Sequence, residues 1–185
     1  MKYHMKNNFR KGFTLIEILI VVAIIAILAT VVLVGLGPTQ QSGRDARRLS
    51  DLREVQTGLQ IYFNKCGVYP NTNGGATGCA TEGDEWASMA RALTTDVSVG
   101  INSVPNDPLN ITAGKAPTYY YAAPAGGTTY VIGAILENGS NVAFNNYTPP
   151  SPTPFGGTSY GFGDPAPTGV SLDCSIASKM YCLSL

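Results

Sequence analysis

The chain is expected to fold as α+β, a long N-terminal α-helix packed on a small antiparallel β-sheet head. Three observations lead there. Residues 18–37 (ILIVVAIIAILATVVLVGLG) carry no charge and suit one unbroken helix. A second stretch, through residue 63, keeps apolar residues at spacings of three and four. Beyond it lie short aromatic and β-branched segments separated by turn residues. The division this suggests is a basic leader at 1–12, an apolar helix at 13–37, its amphipathic continuation at 38–66, a head at 67–147 and a Pro/Gly-rich C-terminal segment at 148–185.

The apolar run is about the 20 residues that a helix needs to cross a bilayer core. It is apolar on every side, so its periodicity selects no face for lipid. A secretory signal has a shorter apolar region followed by a small-residue cleavage site. Here the small-residue processing point, Gly12, precedes the run, so the apolar segment is expected to stay with the mature chain. Glu17 is the exception inside this greasy stretch. A carboxylate in a membrane helix costs roughly 2.5–3.5 kcal/mol near the centre and less near the ends. Two readings of it stand: a carboxylate near enough to the interface to reach water, or a registry device paired with a cation from a neighbouring subunit. Cleavage after Gly12 would create such a cation, the Phe13 amine. Ala23, Ala26 and Ala29 would let neighbouring helices approach closely.

Gly12-Phe13-Thr14-Leu15-Ile16-Glu17, behind a basic leader and ahead of an apolar helix, resembles the processing site of type IV prepilins and type II secretion pseudopilins. The resemblance implies a pilin-like fold, cleavage between Gly12 and Phe13 by a membrane prepilin peptidase, and N-methylation of Phe13. It also implies neutralisation of an adjacent subunit's Phe13 amine by Glu17. Many pilins have a proline in the middle of the apolar segment; here Val34 stands there, and Gly35-Leu36-Gly37-Pro38 comes slightly later.

Charge and cysteines narrow the function further. The leader holds Lys2, Lys6, Arg10 and Lys11, four of the twelve basic residues, and none of the twelve acidic ones. Its loss leaves a mildly acidic protein without an electrostatic footprint for nucleic acid. The leader's charges place it on the cytoplasmic side. Cys66, Cys79, Cys174 and Cys182 then lie outside, where an even number suggests disulfides. Three pairings are open; Cys66–Cys79 and Cys174–Cys182 are favoured because both close short Gly-, Ser- or Asn-rich loops. Zinc is not expected, since no CxxC occurs and the sole histidine, His4, is in the leader.

After the apolar run, GLGPTQQSG (35–43) reads as a kink rather than a stop. Leu49, Leu52, Val55, Leu59 and Tyr62 or Phe63 form one stripe. Arg47, Arg48, Asp51, Arg53 and Glu54 are assigned largely to the other faces. Residues 13 to about 64 thus read as one helix, about 75 Å long at 1.5 Å per residue. The cluster Arg44, Arg47, Arg48 has three open readings: lipid headgroups, a solvated face, or acids on neighbouring subunits. The helix is expected to end before Gly67, with Val68-Tyr69-Pro70 leading out. That exit is similar to the corresponding stretch of major pseudopilins.

In the head, 84–93 reads as a short helix capped by Asp84, with Trp86, Met89 and Leu93 on its core stripe. Residues 118–122 and 128–136 read as strands. Asn138-Gly139 reads as a hairpin turn returning Val142-Ala143-Phe144 as the third. The segment 148–169, with six prolines, reads as a loop or extension. Residues 173–185 read as a lobe closed by cysteines, a position that in several pilin relatives holds an exposed C-terminal loop.

Catalysis has no constellation to support it. There is no GxxxxGK loop, and no histidine remains after processing. Asp84 and Glu85 suit a helix cap better than an acid/base pair. The resemblance also brings a calcium site in the head loops. Asp107, Asn110 and Asp164 offer oxygen there, but they do not match that motif residue by residue and are more simply turn residues. No cofactor is therefore expected, with calcium kept as the alternative. Asn110, Asn138 and Asn146 begin glycosylation-type triplets of a commonplace kind.

The expected function is a structural subunit of a type IV pilus-like filament, not an enzyme. Its expected partners are its own copies, a prepilin peptidase, an assembly ATPase and a membrane platform. Its expected place is the inner membrane, through a single-pass helix, and then a surface filament. The alternative within the family is the major pseudopilin of a type II secretion system. The alternative from another class is a membrane-anchored or filament-tip adhesin, in which the tail or the Cys174–Cys182 loop makes contact.

Overall fold

A computed structural model describes residues 12–71, 79, 86–96, 100–109, 119–124, 126–150 and 173–185, with residues 34, 35, 95 and 96 described through their backbone alone. These fall into two compact units, divided after Gln40. Helix α1 runs from Leu15 to Cys66 and passes through Pro38 without ending. One proline removes a single backbone donor, and long apolar and straight-chain stretches on both sides carry the helix past it. Gly67 ends it. Its φ of 73° is a left-handed conformation that glycine adopts at least cost, and its N–H bonds to the Phe63 carbonyl at 2.8 Å.

Within the unit beginning at residue 41, Leu52, Val55, Leu59 and Tyr62 are buried, as the stripe requires. They pack with Tyr69, Trp86, Met89 and Leu93 and with one face of the sheet. Tyr69, in the helix exit, lies against Phe63 and Tyr130, with ring centroids 4.6 and 4.5 Å away. Helix α2 spans Trp86–Arg91 and continues as a π turn over Ala92–Asp96. Asp84, the expected cap, lies outside the described residues.

The sheet has three antiparallel strands in the order β1 (Tyr119–Ala122), β2 (Val131–Ile135) and β3 (Met180–Ser184). The first two match the sequence reading. The third does not: residues 142–144 form a 3-10 turn, and the strand beside β2 comes from the C-terminal segment. The reason is local. Asn141 accepts the Ala143 N–H on its own side chain, which begins a helical turn where a returning strand would need extended backbone. Meanwhile residues 180–184 alternate in burial as an edge strand does. Tyr119, Tyr121, Ile132 and Ala134 face α1, joined by Tyr181 and Leu183. Tyr120, Val131, Met180 and Cys182 face the other way and are covered by Cys174. The disulfides are Cys66–Cys79, which ties the end of α1 to the following loop, and Cys174–Cys182, which lies over the outer face.

Candidate assembly site at the helix start

The candidate site begins with an exposed peptide. Gly12 and Phe13 precede α1 in extended, irregular backbone, and the Phe13 side chain is 85% exposed. Nothing lies within 4 Å of where a Gly12 Cβ would be. The bond between them is open to approach. The rest of the basic leader lies outside the described residues.

Thr14 and Glu17 then build the first turn together. The Glu17 Oε2 accepts the Thr14 N–H at 2.9 Å and the Thr14 hydroxyl at 2.7 Å. The Glu17 N–H donates to the Thr14 Oγ1 at 3.3 Å. This is a capping box: each residue satisfies a backbone donor that the helix start leaves unbonded. It also sets a negative charge where the helix dipole favours one. Both bonds to the carboxylate fall on Oε2, so Oε1 keeps its lone pairs for another donor. Among the described residues no cation pairs with Glu17. The spacing Thr-x-x-Glu carried this signal, and the sequence reading above did not use it.

From Leu15 to Leu36 fifteen large apolar side chains are 43–83% exposed. The most apolar window of α1 has a mean hydropathy of 3.3 and is long enough to cross a membrane. The site is thus one carboxylate at the head of an uncovered apolar rod. It has hydrogen-bond acceptors to offer and no group placed for covalent chemistry.

The second charged centre is of another kind. The Arg48 guanidinium, 1% exposed, donates to Asp107 at 2.6 and 3.2 Å, to Asp45 at 2.8 Å and to Glu137 at 2.8 Å. Arg44 reaches Glu137 through two nitrogens. Asp45, fully buried, also accepts the backbone N–H groups of Glu137 and Asn138 at 2.9 and 3.0 Å. Burial opposes the charged form of Arg48, but its hydrogen bonds to Asp107 and Glu137 outweigh it and raise its pKa above the ordinary range. Hydrogen bonds from Arg44 first, and then from Arg48, hold Glu137 below the usual carboxylate range. Near this centre the Tyr119 hydroxyl donates to Asp51 at 2.6 Å.

These contacts correct the reading of the basic cluster. Arg44 and Arg48 pair with acids of their own chain, and Arg48 and Asp51 are buried rather than outward-facing; Arg47 alone of the three is largely exposed. The signal was present. Asp45, Arg48, Leu52, Val55, Leu59, Tyr62 and Cys66 follow one another at three- and four-residue steps, so the charged pair continues the core stripe. Asp107 spends both carboxylate oxygens on Arg48, and its Oδ1 also accepts the Leu109 N–H. Asn110 and Asp164, its companions in the calcium reading, lie outside the described residues. Among the described residues no group of three or more His, Cys, Asp or Glu could hold a metal.

Comparison with known proteins agrees with the helix start. Residues 7–33 match the prokaryotic N-terminal methylation motif. The chain is 33% identical over 66 residues to the type II secretion system core protein G of Escherichia coli (strain K12), which covers 36% of this chain and 46% of that protein. It is 31% identical over 77 residues to the protein of the same name from Vibrio cholerae, covering 42% and 53%. The methylation motif and these relatives make the chain similar to the type IV pilin and pseudopilin family. A third relative of that name, from Pectobacterium carotovorum, is 29% identical over 80 residues, 43% of this chain and 51% of its own. This pilin-like chain spans about half the length of the curated relatives it matches. No solved structure matches it.

Proposed function

We propose that this chain is a structural subunit of a pilin-like filament. It is cut between Gly12 and Phe13 by a prepilin peptidase, methylated on the Phe13 amine, and held in the inner membrane by α1 until it polymerises. The observation that carries this reading is the apolar half of α1, uncovered at each of its described large side chains, with one carboxylate at its start. Water cannot be the final surroundings of such a rod. Lipid hides it, but in lipid apolar contact alone gives helices little reason to associate, and polar contacts and close packing supply it. Glu17 is the polar group available. With Oε2 held by Thr14, Oε1 is left to accept a neighbouring subunit's Phe13 amine, which offsets the cost of carrying the charge into an apolar setting. Growth of the filament then draws on a cytoplasmic ATPase and a membrane platform.

Mass spectrometry of the mature N-terminus tests the processing step. A chain beginning at methylated Phe13 is expected, and an intact Met1 or a cut beyond the apolar run would end this reading. Glu17→Ala tests assembly. It should be processed normally and assemble poorly, and filaments at parental yield would remove the charge pairing. Likeness to proteins named for type II secretion favours a second form of the same reading, in which the filament is a short secretion pseudopilus. Electron microscopy of cells separates this from long surface pili.

A further inference from the structure

The unit beginning at residue 41 carries two features that the helix start does not use. The first is a groove of about 250 Å³ between α1 and residues 101–105, lined by Glu54, Thr57, Gly58, Ile61, Val104 and Pro105 among others. Gly58 keeps the walls close, since a Cβ there would come within 2.5 Å of Ile101 Cδ1. Ile61 is 44% exposed at the groove. Glu54 is the one charged residue in the lining, and it is exposed with no ion pair among the described residues. So apolar a site, with few convergent polar groups, is poorly equipped to orient a small polar ligand.

The second feature lies across the sheet. The Cys174–Cys182 disulfide covers the face of the sheet turned away from α1 and closes a short loop. Ile176 in this loop is 50% exposed. The Lys179 N–H bonds to the Ile176 carbonyl at 3.1 Å, and the left-handed backbone at Lys179 (φ 57°) completes a turn that displays both side chains. The Lys179 ammonium reaches the Glu137 carbonyl at 3.4 Å and, among the described residues, forms no ion pair.

An apolar hollow with one acid thus stands on one side of the sheet, and an apolar tip with one base on the other. Complementary patches on different sides of a molecule cannot meet across a two-fold axis. They join copies head to tail, and such contacts propagate as a helix. We propose that the Ile176–Lys179 turn of one copy seats in the Glu54–Ile61 groove of the next, Ile176 filling the hollow and Lys179 pairing with Glu54. The inference rests on the filament reading above, because so small a contact is effective only when the N-terminal helices already hold copies side by side at high effective concentration.

The test uses the full chain with its assembly machinery in cells. The described cysteines are all paired, so reporters at Thr57→Cys and Ala177→Cys, combined in one chain, supply thiols for a short bis-maleimide. A ladder of dimers, trimers and longer multimers is expected. In the same background Glu54→Lys or Lys179→Glu should cut the ladder by about tenfold, and the two together should restore it. Filaments with no ladder, a product that stops at dimer, or indifference to both charge reversals would overturn the docking and leave the filament reading standing. Failure of the parent chain to form any filament would overturn both.

Discussion

The two halves of α1 treat charge in opposite ways. Near its start, Glu17 is exposed and bonded only within its own first turn, amid apolar side chains that nothing covers. Thirty residues on, Asp45 and Arg48 are buried and meet Asp107, Glu137 and two backbone N–H groups. One charge is left with acceptor capacity to spare, and the other group is saturated. The contrast separates two tasks along a single helix. The saturated centre ties α1 to its own head, while the unsaturated one leaves a carboxylate oxygen that the filament reading assigns to contact with another molecule.

The largest way to break this contrast is Arg48→Ala. It leaves Asp45 and Asp107 buried around an empty position, and removing one member of a buried ionic group typically costs about 3–5 kcal/mol. Denaturant unfolding of the full chain in detergent, followed through Trp86 and the tyrosines, measures it. A loss near that of an exposed residue such as Arg53 would show that the network is not what joins helix to head. Tyr119→Phe is the next in size. It strips the Asp51 carboxylate of its 2.6 Å donor and should cost about 1–3 kcal/mol.

Acid should weaken the saturated centre in a defined window. Glu137 is held below its ordinary value of 4.5, chiefly by the bond from Arg44. A carboxylate with a depressed folded pKa stabilises fully above its unfolded value and loses that contribution as pH falls through the folded one. Stability should therefore decline below about pH 4.5. Glu137→Gln should lower stability at neutral pH and flatten that decline. An unchanged acid limb would place the titrating group elsewhere.

The same contrast marks what could be read in the chain beforehand. Leu52, Val55, Leu59 and Tyr62 announced a buried stripe because apolar periodicity is local and strong. Asp45 and Arg48 sit on that stripe, yet polarity argued for the outside; only Asp107 and Glu137, dozens of residues away, make burial tolerable there. The third strand failed for a similar reason. Asn138-Gly139 is a good local turn signal, but the partner of β2 arrives from residues 180–184, and no local pattern specifies that pairing. The alternation of Met180, Tyr181, Cys182 and Leu183 is visible, but the Cys174–Cys182 spacing makes that stretch read as a closed lobe. At the helix start the signals lay together: Gly12, Phe13 and Glu17 fall within the matched motif, and the Thr14–Glu17 box follows from its three-residue spacing.

That box yields the smallest predicted effect and the sharpest one for the unsaturated half. Thr14→Val keeps the size and branching of the side chain but removes the hydroxyl that bonds Glu17 twice, once as donor and once as acceptor. Loss of an N-cap contact costs about 1 kcal/mol, which is roughly a fivefold change in the opening of the first turn. Amide hydrogen exchange at Leu15, Ile16 and Glu17 in micelles should quicken by about that factor, because opening of the first turn sets the rate there. Exchange in the Leu52–Tyr62 stretch, whose stability comes from the head, should not move. If both stretches responded together, the two halves of α1 would form one cooperative element, and the division of labour drawn from their charges would have to be abandoned.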